Sequence, residues 1–188
     1  MKDDIKKCLI IYNPNSGKAI SEDVLAIYQD ILKDNGYKVD VLATKYKNHA
    51  TEIITNAKNY NIVFSIGGDG TLNEVVTGNM MRKHKLLIAN LPMGTTNDVG
   101  NMYGYTKDLK KNLELLLDGK PKKIDVCYID DTAFVYVACL GDYIDMAYNT
   151  PRELKKKYGK LAYIMYGLKQ LRPKIHSYNI KYKVNGKE

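Results

Sequence analysis

The sequence predicts an α/β protein built on a parallel sheet, followed by the start of an antiparallel region. Three observations carry that expectation. Short apolar runs rich in β-branched residues recur at 7–12, 61–66 and 85–91, and such runs read as strands buried on both faces. Amphipathic helical stretches separate them, and strand–helix alternation implies parallel strands joined by right-handed crossovers. From about residue 123 the alternation stops. Two apolar runs are then joined by Asp130-Asp131, a connection suited to an antiparallel pair.

The first strand, Lys7-Cys8-Leu9-Ile10-Ile11-Tyr12, opens into the turn-forming residues Asn13-Pro14-Asn15-Ser16-Gly17-Lys18. A helix from Ser21 to Asp34 follows. Val24, Leu25, Ile27, Tyr28, Ile31 and Leu32 draw its apolar face, Ser21 can cap it, and Asn35-Gly36 ends it. The second strand is Tyr37–Leu42 and the loop after it runs from Ala43 to His49. A helix over 50–58 turns Ile53, Ile54 and Ala57 inward.

The organising stretch is Asn61-Ile62-Val63-Phe64-Ser65-Ile66-Gly67-Gly68-Asp69-Gly70-Thr71-Leu72-Asn73-Glu74. It reads as a buried strand, a glycine turn and a helix start, with Leu72, Val75, Val76 and Met80 at helical spacing. Thr71 as N-cap with Glu74 three residues on makes a capping box. Glycines at such a turn let backbone N–H groups approach an anion, and the helix dipole favours negative charge there. Asp69 inside the turn suits a divalent cation held between carboxylate and phosphate, because Mg²⁺ takes one or two carboxylates with phosphate oxygens and water. A tight βα turn with a solvated Asp69 accounts for the same residues. Convergence separates the two readings.

The next strand, Lys85–Leu91, leads into Pro92-Met93-Gly94-Thr95-Thr96-Asn97-Asp98, which offers hydroxyls, an amide and a carboxylate. In a parallel sheet, ligands bind at the carboxyl ends of the strands. That one edge collects the loops 13–18, 44–49, 67–71 and 92–98. A helix over 107–117 places Leu109, Leu113, Leu116 and Leu117 on one face, and Asp118-Gly119 closes it.

Beyond 121 the chain reads as an incomplete second domain, 122–188. It holds strands at 123–129 and 133–140, a helix from Arg152 to Leu171 and an alternating strand at 178–184. Asn185-Gly186 after that strand is a hairpin signal, and only two residues follow it. The expectation is therefore an N-terminal piece cut inside an antiparallel domain, with a strand edge through which a homodimer could form.

A chain of 188 residues can bury one good core, or one domain and part of another. No apolar run approaches the ~20 residues of a membrane span, and Met1-Lys2-Asp3-Asp4 lacks the apolar stretch of a secretory signal. The cysteines Cys8, Cys127 and Cys139 are far apart, without a Cys-x-x-Cys pair. Cys8 and Cys139 sit in apolar runs as buried, inert thiols, which fits a reducing cytoplasm. The net charge of +8 accompanies abundant Lys, Asn, Tyr and Ile, a bias of the whole composition rather than the mark of a partner. No nucleic-acid motif goes with it. Arg152, Lys155, Lys156, Lys157 and Lys160 read as a solvated helix face, with anionic lipid headgroups the alternative. His49, His84 and His176 have no metal-ligand spacing.

With these loops in hand, the sequence resembles the bacterial diacylglycerol/lipid kinase family, kin of the sphingosine kinases and more distantly of NAD kinases. The likeness rests on Ile11–Lys18, Gly67–Val76 and Pro92–Asp98, continues through Lys122–Asp125 and Cys139–Asp142, and so covers essentially the whole chain. It implies an α/β nucleotide-binding domain, 1–121, then a β-sandwich domain, with ATP and Mg²⁺ between them. Carried over by position, Asn13, Pro14, Asn15, Ser16, Gly17, Thr44, Gly67, Gly68, Asp69, Gly70, Thr71 and Asn73 hold the nucleotide. Glu74 orients the glycine loop, and Gly94, Thr95, Thr96 and Asn97 complete the nucleotide site. Asp69 stands nearest the metal, Asp69 and Asp98 are the catalytic carboxylates, and Lys18 faces the lipid substrate. The resemblance further implies transfer of the ATP γ-phosphoryl to a lipid hydroxyl, diacylglycerol above others, in phospholipid metabolism at the inner face of a membrane. The chain departs from the family at Asn48, where a glycine is common. The family's general base and further metal-ordering carboxylates lie beyond Glu188. A soluble NAD-kinase-like enzyme and a non-catalytic nucleotide or anionic-lipid sensor are the competing readings.

Overall fold

In the computed structural model, strands and helices alternate as the apolar runs predict. The order is β1 (Lys6–Tyr12), α1 (Glu22–Asp34), β2 (Tyr37–Ala43), α2 (His49–Asn56), β3 (Ile62–Gly67), α3 (Asp69–Met80) and β4 (Leu87–Pro92). Then come α4 (Asp98–Met102), α5 (Leu109–Asp118), β5 (Cys127–Ile129), β6 (Thr132–Phe134) and α6 (Arg152–Tyr158). The residues described are 6–16, 20–106, 108–130, 132–139, 150–159, 161–162, 164–165, 179 and 183. The expected strand at 178–184, its Asn185-Gly186 turn and most of the helix expected beyond Tyr158 lie outside them.

The first four strands form one parallel sheet in the order β2-β1-β3-β4. β1 pairs with β2 from Lys6↔Tyr37 to Tyr12↔Ala43 and with β3 from Cys8↔Ile62 to Tyr12↔Ile66. The chain steps to one side of β1 to make β2, then returns across it to make β3. The strand order therefore reverses between β1 and β3.

Both faces of the sheet are covered, which is why its central strands β1 and β3 read as nearly unbroken apolar runs, while the edge strand β2 alternates with Lys38 and Asp40. On one face Cys8, Ile10, Phe64, Ile66, Ala89 and Leu91 meet Leu25, Tyr28 and Leu32 of α1 and Leu113 of α5. On the other, Leu9, Ile11 and Val63 meet Ala50 and Ile54 of α2 and Val75 of α3. Each Leu or Ile buried completely in these layers contributes about 1.5–3 kcal/mol. The Ser21 hydroxyl accepts the Val24 N–H at the start of α1, as the sequence predicts. Across the amino ends of the strands, Lys7 pairs with Asp40 at 2.8 Å, and the Tyr60 hydroxyl donates to the same carboxylate at 2.7 Å.

The chain divides into compact units 1–137 and 138–188. β5 and β6 pair antiparallel. This hairpin, grouped by the sequence with the second domain, lies within the first unit, where Ala133 packs with Leu72, Val76 and Val99. Among the described residues of the second unit, α6 and residues 161–162 and 164–165 are helical.

Several details differ from expectation. The helix after the glycine turn begins at Asp69, with Gly68 at its N-cap and no side-chain cap. Thr71 is thus its third residue, and the Thr71–Glu74 capping box is not made. The short helix α4 has no counterpart in the sequence reading. Cys8 is buried as predicted, and burial, its main cause, pushes its thiol pKa up to about 12. Cys139 is exposed, as is Cys127. The apolar run 133–140 is paired as a strand only through Phe134, so Cys139 stands beyond the ladder.

Candidate functional site

The loops predicted to converge leave the sheet side by side because each continues its ladder by one hydrogen bond. Thr44 N–H donates to Tyr12 O at 2.8 Å, Asn13 N–H to Ile66 O at 3.1 Å, and Met93 N–H to Gly67 O at 2.7 Å. The loops after β1 and β3 flank the point where the strand order reverses, the usual ligand position in open α/β sheets.

The loop after β1 is folded on Asn13, whose Oδ1 accepts the Asn15 N–H at 2.9 Å and whose carbonyl accepts the Ser16 N–H at 3.1 Å. Asn13 Nδ2 reaches the Thr71 hydroxyl at 3.4 Å, joining this loop to α3. Pro14 fills the turn between them. The turn 94–97 is closed by Asn97, in the left-handed conformation at φ 54°. Its Oδ1 accepts the Gly94 N–H at 2.6 Å, and its Nδ2 donates to Gly94 O at 2.9 Å.

Gly68 and Gly94 bring two loops together. A Cβ on Gly94 would stand 2.6 Å from the Gly68 Cα, and one on Gly68 would stand 3.3 Å from the Gly94 Cα and 3.4 Å from the Ser16 hydroxyl. Only backbone fits between these strands' ends. Gly70, by contrast, has nothing within 4 Å of where a Cβ would be. At this end of α3, Gly68 O accepts the N–H groups of Thr71 and Leu72. The N–H groups of Asp69 and Gly70 are left without an intrahelical acceptor, beside open space and at the positive end of the helix dipole. That arrangement fits a phosphate group.

Asp69 binds across to the neighbouring loop. Its Oδ2 accepts the Asp98 N–H at 3.1 Å and its Oδ1 accepts the Val99 N–H at 3.2 Å. These are donors of the first turn of α4, where Asn97 supplies no side-chain cap. Asp69 therefore caps α4 from another element. Among the described residues, the side chains of Ser16, Thr95, Thr96 and Asp98 have no hydrogen-bond partner, and all are partly buried. They remain open to a ligand.

The structure thus gathers Asn13, Ser16, Gly67, Gly68, Asp69, Gly70, Thr71, Gly94, Thr95, Thr96, Asn97 and Asp98 around one mouth, and Thr44 stands at the adjoining strand end. Asn73 lies one turn along α3. Gly17 and Lys18 lie outside the described residues. Glu74 points elsewhere. Its Oε1 accepts the Asn48 N–H at 2.9 Å and its Oε2 the Ala50 N–H at 3.2 Å, so it holds the start of α2 rather than the glycine turn. Asn48 has φ 68°. Its left-handed backbone accounts for glycine being acceptable there, and Asn is among the side chains that tolerate it. The sequence reading missed Val99 as a member of the site's framework and took Asn48 only as a departure from the family, not as a residue held by Glu74.

The reversal point, the paired glycines and the capped loops define an α/β domain with a candidate anion site at the carboxyl ends of its strands. Residues 7–129 match the model of the diacylglycerol kinase catalytic domain, and the chain belongs to that family. It is 32% identical over 183 residues to a protein called diacylglycerol kinase in Staphylococcus aureus (strain JH9), and equally to that of strain Newman. Each alignment takes in 96% of this chain and 58% of the relative, so the chain spans little more than half the length of these relatives. Among solved structures it is similar to a diacylglycerol kinase from Bacillus anthracis str. Sterne, with TM-score 0.59 and 24% identity over 71% of this chain and 49% of that one. A putative diacylglycerol kinase from the same source gives TM-score 0.57 and 23% identity, covering 71% and 50%. At these identities the likeness is one of fold. Among the described residues no helix is long and apolar enough to cross a membrane.

Proposed function

We propose that the protein containing this chain is an ATP-dependent lipid kinase, transferring the γ-phosphoryl of ATP to a lipid hydroxyl, with diacylglycerol as the acceptor. The observation that carries this reading is the glycine turn at the β1/β3 reversal, locked to the 94–98 turn within a chain of this family. Phosphoryl transfer asks the protein chiefly for positioning and charge stabilisation. The N–H groups of Asp69 and Gly70 receive phosphate oxygens, and Ser16, Thr71, Thr95 and Thr96 offer hydroxyls around them. Thr44, Asn13, Asn73 and Asn97 complete the wall of the nucleotide site, and Lys18 meets the phosphate of the lipid product.

A magnesium ion fits the donor set to the extent of two carboxylates, Asp69 and Asp98. A carboxylate that accepts two N–H groups keeps further lone pairs, and Mg²⁺ needs few protein ligands when phosphate and water supply the rest. Bound there, it would neutralise phosphate charge. Asp98 is assigned as one of the catalytic carboxylates. The protein works at the inner face of a membrane, as a peripheral enzyme of phospholipid metabolism.

The test is ATP consumption by the full-length protein with Mg²⁺, against mixed micelles of diacylglycerol, sphingoid base and monoacylglycerol, with NAD as a soluble control. Diacylglycerol phosphorylation, abolished by Asp69→Ala, is the expected result. Turnover of NAD alone moves the protein to the soluble branch. ATP binding without turnover of any acceptor makes it a nucleotide sensor.

A further inference from the structure

The side chain of Glu74 was expected to hold the glycine turn, one helical turn before it. It instead spans to α2, and what it does there has a counterpart on the same helix. Asp69 and Glu74, both on α3, each use both carboxylate oxygens on backbone N–H groups of another helix's start. Asp69 takes Asp98 and Val99 of α4; Glu74 takes Asn48 and Ala50 of α2. In both places the residue at the N-cap, Asn97 or Asn48, is left-handed and makes no side-chain cap of its own.

We propose that Glu74 is a positioning residue for the nucleotide site, acting through the 44–48 loop by capping α2 from α3. The inference rests on the kinase reading for what the loop binds, but not for the cap itself. The loop 44–48 is tied at two points. Its front end is Thr44, 8% exposed, whose N–H donates to Tyr12 O at the root of the 13–16 loop. Its back end is Asn48, held by Glu74. Between them Lys45 N–H donates to His49 Nδ1 at 3.0 Å, and Tyr46 stacks on the His49 ring at 4.4 Å between centroids, so the segment is joined to the start of α2.

The packing around Glu74 leaves it no easy substitute. The Thr51 hydroxyl donates to the Glu74 carbonyl at 2.9 Å. One turn further on, a Cβ on Gly78 would stand 2.6 Å from the Thr51 carbonyl oxygen. The two helices are therefore in backbone contact at Gly78, and the carboxylate one turn nearer the site sets where the loop lies. A carboxylate at a helix start is favoured by the dipole, and its bonds to N–H groups are charge-assisted. Glutamine in its place offers one acceptor and one donor where two acceptors are needed.

The experiment compares the full-length protein with Glu74→Gln and Glu74→Asp, reading amide hydrogen exchange residue by residue and ATP affinity by titration without acceptor lipid. For Glu74→Gln, protection of the Asn48 and Ala50 amides falls about tenfold or more, the size of one charge-assisted bond. ATP affinity falls several-fold with it, KM for ATP rises more than kcat falls, and Glu74→Asp lies between the two. Unchanged exchange at Asn48 and Ala50 overturns the cap. Lost protection with unchanged ATP affinity overturns the positioning role. A wild-type protein that keeps these amides protected but binds no ATP leaves the cap standing and refutes the kinase reading instead.

Discussion

Replacing Asp69 by asparagine separates two jobs that one carboxylate can do. A residue that served only a metal would stand unpaired without it, and removing its charge would leave the metal-free protein as stable or more so. Here both oxygens are occupied by the first N–H groups of α4, at 3.1 and 3.2 Å. Asparagine keeps one acceptor and turns a donor amide toward the other N–H, so at least one charge-assisted bond is lost. Such a bond is worth about 1.5–3 kcal/mol, and loss of the carboxylate from the helix start adds about 0.3–1 kcal/mol. Taking about 2 kcal/mol for this partly exposed group, and about 3–6 °C per kcal/mol for a unit of this size, the melting temperature falls by roughly 6–12 °C. The assay is thermal unfolding in chelator without nucleotide, with hydrogen exchange at Asp98 and Val99 as the local readout. A melting temperature within about 1 °C of wild type, with both amides still protected, would refute the reasoning.

Two further outcomes follow from the same geometry. Gly68→Ala places a methyl 3.3 Å from the Gly94 Cα and 3.4 Å from the Ser16 hydroxyl, costing about 1–3 kcal/mol of stability. It also lowers ATP affinity at least about tenfold by crowding the open N–H groups of α3; undiminished affinity in a calorimetric titration rules out this turn as the phosphate site. At the other end of the sheet, the hydrogen bond from Lys7, then that from Tyr60, lowers the Asp40 pKa below its ordinary 3.8. A carboxylate depressed in the folded state contributes stability above its unfolded pKa and loses it as pH falls through the folded one. Asp40→Asn therefore makes the protein less stable at neutral pH and flattens its decline below about pH 4. Parallel wild-type and variant curves across that window in acid titrations exclude the effect.

The parallel sheet was legible because β1, β3 and β4 are buried on both faces and so carry unbroken apolar runs, while α1 and α5 show one-sided faces. The ligand edge was legible because alternation alone sends the loops 13–18, 67–71 and 92–98 to one side. What escaped was either short or non-local. Helix α4 has five residues, too few for a periodicity, with Val99 its buried apolar side chain. The start of α3 was misplaced by three residues, with Thr71 expected at the N-cap that Gly68 takes, because glycine hides the change from strand to helix and Thr71 with Glu74 made a plausible local cap. Their actual partners, Asn13 for Thr71 and Asn48 for Glu74, stand 58 and 26 residues away. A pattern within one helix cannot report such contacts.

The central place of β1 also governs how the chain is made. Its residues Cys8, Leu9, Ile10 and Ile11 are completely buried, yet their cover arrives late: β2 pairs one edge, β3 the other, and α3 closes one face only at Met80. At about 5–20 residues per second, some 70 residues of synthesis leave this strand incompletely covered for roughly 3–14 s. Until β2 is made it is an unpaired strand with four consecutive apolar side chains, Cys8 to Ile11, of the kind that sticks to other nascent chains. The strand that anchors the finished sheet is thus the one that waits longest for both its neighbours.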